Sequence, residues 1–282
     1  MNQRLASRAS RAVLAGLATI MVAACGSSLQ GFSLFELRRQ HRALPDDVDA
    51  LKQEAAARFS DGGPSDEVAA SLRAGCKAVR ATPKRDAEAS FLTCRACFWL
   101  EEYSEVPVCY DPENDWLEVV ECSEHCREAV RGDRSNALYT YFLGAAMGLK
   151  LKKAFIHTQI LNISSLIDVL ERAVELDPGM DHGGPLRLLG ALYLRAPPWP
   201  RGPGDSEKAL ELLERAVEEY PDHPLNHFFY AEALLDDEEH ADALEEIEVA
   251  RACIDPERFL WRAAMYSTMI DRLEGRIRAA TP

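Results

Sequence analysis

The stretch that decides the fold is ALELLERAVEEYP, residues 209–221. Ala209, Leu213 and Ala216 fall four and three residues apart, the spacing of one helix face, and Pro221 ends the helix five residues later. Leu166, Leu170, Ala173 and Pro178 repeat that spacing upstream. Ala243, Ile247 and Ala250 repeat it downstream, with Pro256 one residue late. Small residues let two antiparallel helices approach closely, and a bulky residue one turn away fills the groove. Each such pair has two apolar faces and must stack on neighbours.

Ala216 and Ala250 are 34 residues apart, the tetratricopeptide period. Leu189-Gly190 followed by Tyr193 matches the first helix of such a repeat, and Leu143-Gly144 with Met147 and Tyr230-Ala231 with Leu234 are weaker copies. The expected fold is therefore all-α, a tetratricopeptide-like helical-hairpin solenoid. No stretch alternates with a two-residue period, so no strands are required, and Glu113–Arg131 is read as a helix. Asp46 and Asp47 are placed to cap a helix starting at Val48. Two pairs are longer than the period. Their extra residues fall near Lys152 to Asn162 and in Ala196–Asp205, and both are expected as loops.

At the N-terminus, Arg4, Arg8 and Arg11 precede an apolar run from Ala12 to Ala24, too short to span a bilayer. Val22-Ala23-Ala24-Cys25 resembles the lipobox of bacterial lipoproteins, in which the cysteine sulfur is lipidated. The expected organisation is a signal peptide at 1–24, a lipid-anchored tether with N-terminal helices at 25–60 and a repeat domain at 61–282. Cys25 is the expected lipidation site, with the chain facing the periplasm. Gly26 after the anchor, where an Asp would favour the inner membrane, points to the outer membrane. Loss of residues 1–24 removes three arginines and no acid, taking the formal net charge from −14 to −17. So acidic a surface repels nucleic-acid backbones.

Eight cysteines are present. Cys94 plus Cys126 and Cys97 plus Cys122 have nearly equal index sums, which is the condition for facing one another across an antiparallel hairpin. Cys94 and Cys97 share a helix face, as do Cys122 and Cys126. Two disulfides or one four-thiolate zinc site fit this arrangement, and the oxidising periplasm favours disulfides. Cys76 competes for Cys94 among 15 connectivities of six cysteines. No phosphate loop, nucleophile elbow, dinucleotide turn or zinc-protease motif occurs, and no nucleophile, base and oxyanion donors assemble, so neither an enzyme nor a cofactor is expected. Glu211–Glu219 and Asp236–Glu248 read as solvated helix faces.

His182-Gly183-Gly184-Pro185-x-Arg187, Pro197-Pro198-Trp199-Pro200, Gly204-Asp205-x-x-Lys208-Ala209 and His227-Phe228-Phe229-Tyr230-Ala231-Glu232 together resemble the T-component family of periplasmic TRAP transporters. The resemblance covers about Ala137 to Ala252; the six cysteines of the N-terminal third depart from it. It implies an all-helical fold around an apolar ligand channel, association with a periplasmic solute-binding receptor, an apolar small-molecule ligand and homotrimers. The alternative is a general scaffold lipoprotein for envelope assembly, without ligand. Gly183, Gly184, Pro185, Arg187, Trp199, Pro200 and Tyr230 are the candidate ligand or partner contacts. Trp199 stands out because stiff prolines present its indole outside the repeat pattern, and the Gly183 segment is expected beside it at one mouth or surface.

Overall fold

The structure is a computed structural model, and it describes residues 44–59, 65–82, 86–103, 108–111, 116–153, 156–259 and 261–281. The expected lipidation site Cys25, the expected signal at 1–24 and the first part of the expected tether lie outside the described residues. The described chain divides into two compact units, one ending at Met147 and the other starting at Gly148.

In the first unit, α1 (Val48–Arg58) is capped by Asp47, whose carboxylate accepts from Ala50 N–H at 2.9 Å. It buries Leu51 and Ala55. Helices α2 (Ser65–Ala81) and α3 (Ala87–Tyr103) cross at Gly75, where an added Cβ would lie 2.8 Å from Thr93 Oγ1. Only glycine allows that approach. Helices α4 (Cys122–Gly132) and α5 (Ala137–Lys153) follow, α5 running on into the second unit. Phe91, Phe98 and Phe142 meet edge to face, with Phe142 5.5 Å from Phe91 and 5.6 Å from Phe98.

Between α3 and α4 the expected helix 113–131 is only half formed. Val108–Asp111 (β1) pairs antiparallel with Trp116–Val119 (β2), and the helix begins at Cys122. The reason lies in side chains from opposite faces of the strand. Trp116 lies under the Arg80 guanidinium at 4.0 Å and Glu118 forms an ion pair with Arg80. Leu117 and Val119 face outward, 49% and 67% exposed. A helix would not place Trp116 and Glu118 on one side and Leu117 and Val119 on the other.

In the second unit, α6 (Ile156–Leu176), α7 (Gly184–Arg195), α8 (Ser206–Glu219), α9 (Pro224–Asp236) and α10 (His240–Ala252) pack as successive antiparallel neighbours. A short α11 (Pro256–Phe259) and α12 (Trp261–Ala280) close the stack against α9 and α10. The repeat positions form the core: Leu166, Ala209, Leu213, Ala216, Ala243, Ile247 and Ala250 are fully buried, with Leu170 and Ala173 nearly so. A Cβ on Gly190 would lie 2.6 Å from Leu213 Cγ, so the glycine of the repeat signature is what admits Leu213. Of the extra residues near Lys152–Asn162, the described ones, 152–153 and 156–162, are helical rather than looped, within an α5 of 17 and an α6 of 21 residues.

Candidate functional site

Helix α7 joins the two ends of the second unit that bear candidate residues. Its C-terminal end leads into the Pro-rich segment 196–205. This segment is tightly closed: Arg201 N–H donates to Pro198 O at 3.0 Å, Gly204 N–H to Pro197 O at 2.9 Å and Asp205 N–H to Tyr193 O at 3.1 Å. A side chain at Gly204 would collide with the Ala196 carbonyl, and one at Gly202 would come within 2.6 Å of Pro197 O. Asp205 then caps α8, accepting from Lys208 N–H at 3.0 Å. On this closed loop Trp199 is 86% exposed, and Pro200 is also exposed.

The base of the loop is held by three polar groups. Tyr193 donates to Glu171 Oε1 at 2.9 Å, and Lys208 Nζ donates to the Tyr193 oxygen at 2.7 Å and to Glu171 at 2.9 Å. The hydrogen bonds to Tyr193 and Glu171 raise the Lys208 pKa, and the bond from Lys208, followed by that from Tyr193, lowers the Glu171 pKa. Nearby, Arg195 pairs with Glu232, which also accepts from Arg276 at 3.1 Å.

The Gly183 segment lies at the other end of α7. Twelve helical residues at about 1.5 Å each separate it from the Trp199 loop by roughly 18 Å. The two therefore do not share one mouth; alternating helix direction puts successive turns on opposite edges of the stack. Gly183 has φ +83°, and a Cβ there would lie 2.9 Å from the Tyr220 ring, so its role is to fit a left-handed turn under that ring. Gly184 and Pro185 are buried. Arg187 is 2% exposed and faces inward. It donates to Asn226 Oδ1 at 2.6 Å and pairs with Asp181 at 2.8 Å. Asn226 in turn donates to the carbonyls of His182 at 2.9 Å and Tyr220 at 2.7 Å. These residues staple one repeat to the next. Tyr230 is half-buried on α9.

Two histidines at this edge, His223 and His227, are four apart in sequence, but the helix starts between them at Pro224, so their spacing defines no shared site. His227 donates through Nδ1 to Glu246 Oε2 and through Nε2 to Pro221 O, each at 2.6 Å. Burial lowers its pKa, but the bonds to Glu246 and Pro221 outweigh burial and the net shift is upward. His223 caps α9, accepting from Leu225 N–H at Nδ1 (3.2 Å). Burial, followed by the charges of Arg187, Arg258, His182 and Arg262, holds it well below the ordinary histidine value.

In the first unit, Cys94 is bonded to Cys126 and Cys97 to Cys122, with Cα separations of 4.9 and 5.4 Å. Both bridges join α3 to α4. Disulfide sulfurs are not thiolates, so these four residues are not a zinc site in this state. Cys76 is bonded to Cys109 rather than to Cys94, tying α2 to β1. This bridge lines a cavity of about 220 Å³ with Val79, Arg80, Glu118 and His125, and burial lowers the His125 pKa. Among the described residues no cluster of histidine, cysteine and acid could hold a metal ion, and no helix is long and apolar enough to cross a membrane.

Residues 202–264 match the tetratricopeptide repeat family. Among solved structures, PilF of Pseudomonas aeruginosa is similar at 15% identity, over 82% of this chain and 96% of that one, with a TM-score of 0.50. A thermophilic tetratricopeptide protein of Thermus thermophilus is 16% identical, over 83% and 98%, with a TM-score of 0.49. YrrB, described as a tetratricopeptide protein with an unusual peptide-binding site, is 17% identical, over 79% and 93%, with a TM-score of 0.47. No curated protein sequence matches the chain. The fold is that of the all-α, tetratricopeptide-like helical repeats.

Proposed function

We propose that this chain is a lipid-anchored, periplasm-facing helical-repeat scaffold that holds a protein partner and has no catalytic role. The observation that carries the reading is Trp199, almost fully exposed on a loop whose backbone is closed by its own hydrogen bonds. A large apolar side chain on a pre-ordered loop loses little entropy on docking, which is the character of an interface anchor. Three disulfides support an oxidising compartment, in keeping with the lipobox at Cys25 and with a periplasmic face. The outer membrane follows from Gly26.

The finer reading is that of an accessory component of a TRAP-type solute transport system, with a periplasmic solute-binding receptor as partner, an apolar small molecule as further ligand and a homotrimeric assembly. Its support is the series of Gly-Gly-Pro, Trp-Pro and aromatic blocks between Ala137 and Ala252. The second reading is a general scaffold for envelope proteins, favoured by the match of residues 202–264 to the broad repeat family. Trp199→Ala in the lipidated protein, followed by receptor capture from solubilised envelopes, tests the proposal. Loss of at least about 2 kcal/mol of affinity with an unchanged unfolding midpoint is expected. Unchanged capture of every partner, or a fall in stability with binding intact, refutes it.

A further inference from the structure

The turns 177–183, 220–223 and 253–255 all enter odd-numbered helices, so they gather on one edge of the second unit. The N-termini of α7 and α9 point toward this edge, and a helix N-terminus favours negative charge. By itself that defines no site. The second observation is His223, 3% exposed. Its Nδ1 accepts the capping hydrogen bond from Leu225 N–H, which places the proton of the neutral ring on Nε2. No described residue accepts a hydrogen bond from that Nε2–H. The ring is fixed edge-on against Phe259 at 5.3 Å, so the donor keeps one direction.

The surroundings of this donor are cationic. Arg187, Arg258, Arg262 and His182 are the charges that act on His223, and the His182 ring is 6.3 Å from it. Arg258 donates through Nη1 to Asp222 O at 3.1 Å, while its Nη2 is buried with no hydrogen-bond partner. Two carboxylates stand at the rim: Asp181 pairs with Arg187 at 2.8 Å, and Asp222 lies 3.6 Å from Arg258 and 3.8 Å from His182. In a chain whose formal net charge is −14, three guanidinium groups are thus gathered around one buried ring. A ring donor without an acceptor on a buried histidine, a buried guanidinium nitrogen without a partner, a cationic surround and helix N-termini are the recognition elements of a single carboxylate. A phosphate dianion would bring a second negative charge into a partly buried place where two carboxylates already stand.

We propose that His223 Nε2–H and Arg258 Nη2 form a carboxylate-binding site on this edge, distinct from the Trp199 loop at the opposite end of α7. The bound group is a carboxylate monoanion, carried by a chain terminus or by a small organic acid. Beside it stand His182 and Asp222, whose side chains are half or more exposed. The proposal does not depend on the identity of the protein that docks at Trp199.

The test titrates acetate into the full, disulfide-intact chain labelled with ¹⁵N-histidine and follows the His223 Nε2 resonance. A saturable shift is expected, with affinity at least tenfold lower in Arg258→Gln. His223→Asn keeps a strong capping residue but lacks the ring donor, and it is expected to lose at least tenfold by calorimetry. If that variant unfolds, Arg258→Gln alone decides. Tetra-alanine with a free C-terminus and its C-terminal amide separate the sources. Tighter binding of the free acid peptide than of acetate assigns the site to a chain terminus, and equal binding assigns it to a small acid. No saturable shift, undiminished binding in the variants, or equal binding of the amide overturns the proposal.

Discussion

Replacing Gly190 by Ala gives a direct reading of how this solenoid is built. The new Cβ would lie 2.6 Å from Leu213 Cγ, 2.9 Å from Leu213 Cδ2 and 3.3 Å from Ala209 O. Leu213 is fully buried and cannot swing into solvent. Overpacking of this kind costs about 1–3 kcal/mol. Exchange of a mid-helix glycine for alanine returns about 1 kcal/mol, so the net loss is roughly 0–2 kcal/mol. Leu213→Ala alone removes a buried side chain and costs about 2–5 kcal/mol. In the double variant the two colliding carbon atoms are gone and the Cβ enters the space they leave. Gly190→Ala then becomes neutral or stabilising. The double variant is expected to be more stable than the sum of the singles implies, by about 1–3 kcal/mol. Urea unfolding of the disulfide-intact protein, followed by far-UV circular dichroism, measures all four species. Additivity to within about 0.5 kcal/mol would refute the idea that Gly190 exists to admit Leu213.

The bridge between α3 and α4 is checked by the Cys94→Ala, Cys126→Ala pair, expected to cost about 2–4 kcal/mol in denaturant unfolding of the oxidised protein. Asn226→Ala leaves buried Arg187 without one acceptor and the His182 and Tyr220 carbonyls without donors, and a loss of about 3 kcal/mol is expected in the same assay. For His227 the folded-state pKa is raised, so its stabilisation is complete below the unfolded value of about 6.5 and is lost as pH rises through the folded pKa. The melting temperature should therefore fall across that window, and His227→Gln should remove this component of the slope; an identical slope in the variant would count against the His227–Glu246 pair.

The repeat core was legible because its signal is local and periodic. Leu170, Leu213 and Ile247 occupy equivalent positions, and packing requires a large residue at each. The cysteine pairs were legible for a related reason: antiparallel helices impose a constant index sum, which Cys94–Cys126 and Cys97–Cys122 satisfy. The hairpin was not, since four-residue strands are too short to display a period, and Trp116 and Glu118 take their orientation from Arg80, 36 and 38 residues away in sequence. Arg187 was a candidate contact because it belongs to the His182–Arg187 block that carries the family resemblance. Its partner Asn226 lies one repeat on and carries no signal of its own. The unpartnered donor of His223 depends on which ring nitrogen caps α9, and that is visible only in three dimensions.

The hydrogen bond from Asp205 N–H to Tyr193 O means that the chain leaves the solenoid and re-enters it at nearly the same point. Whatever lies between can change length or composition without moving α7 against α8. The insertion is in this sense an interchangeable cassette. Lineages, or designers, can vary what it presents while the helices beneath inherit their packing unchanged.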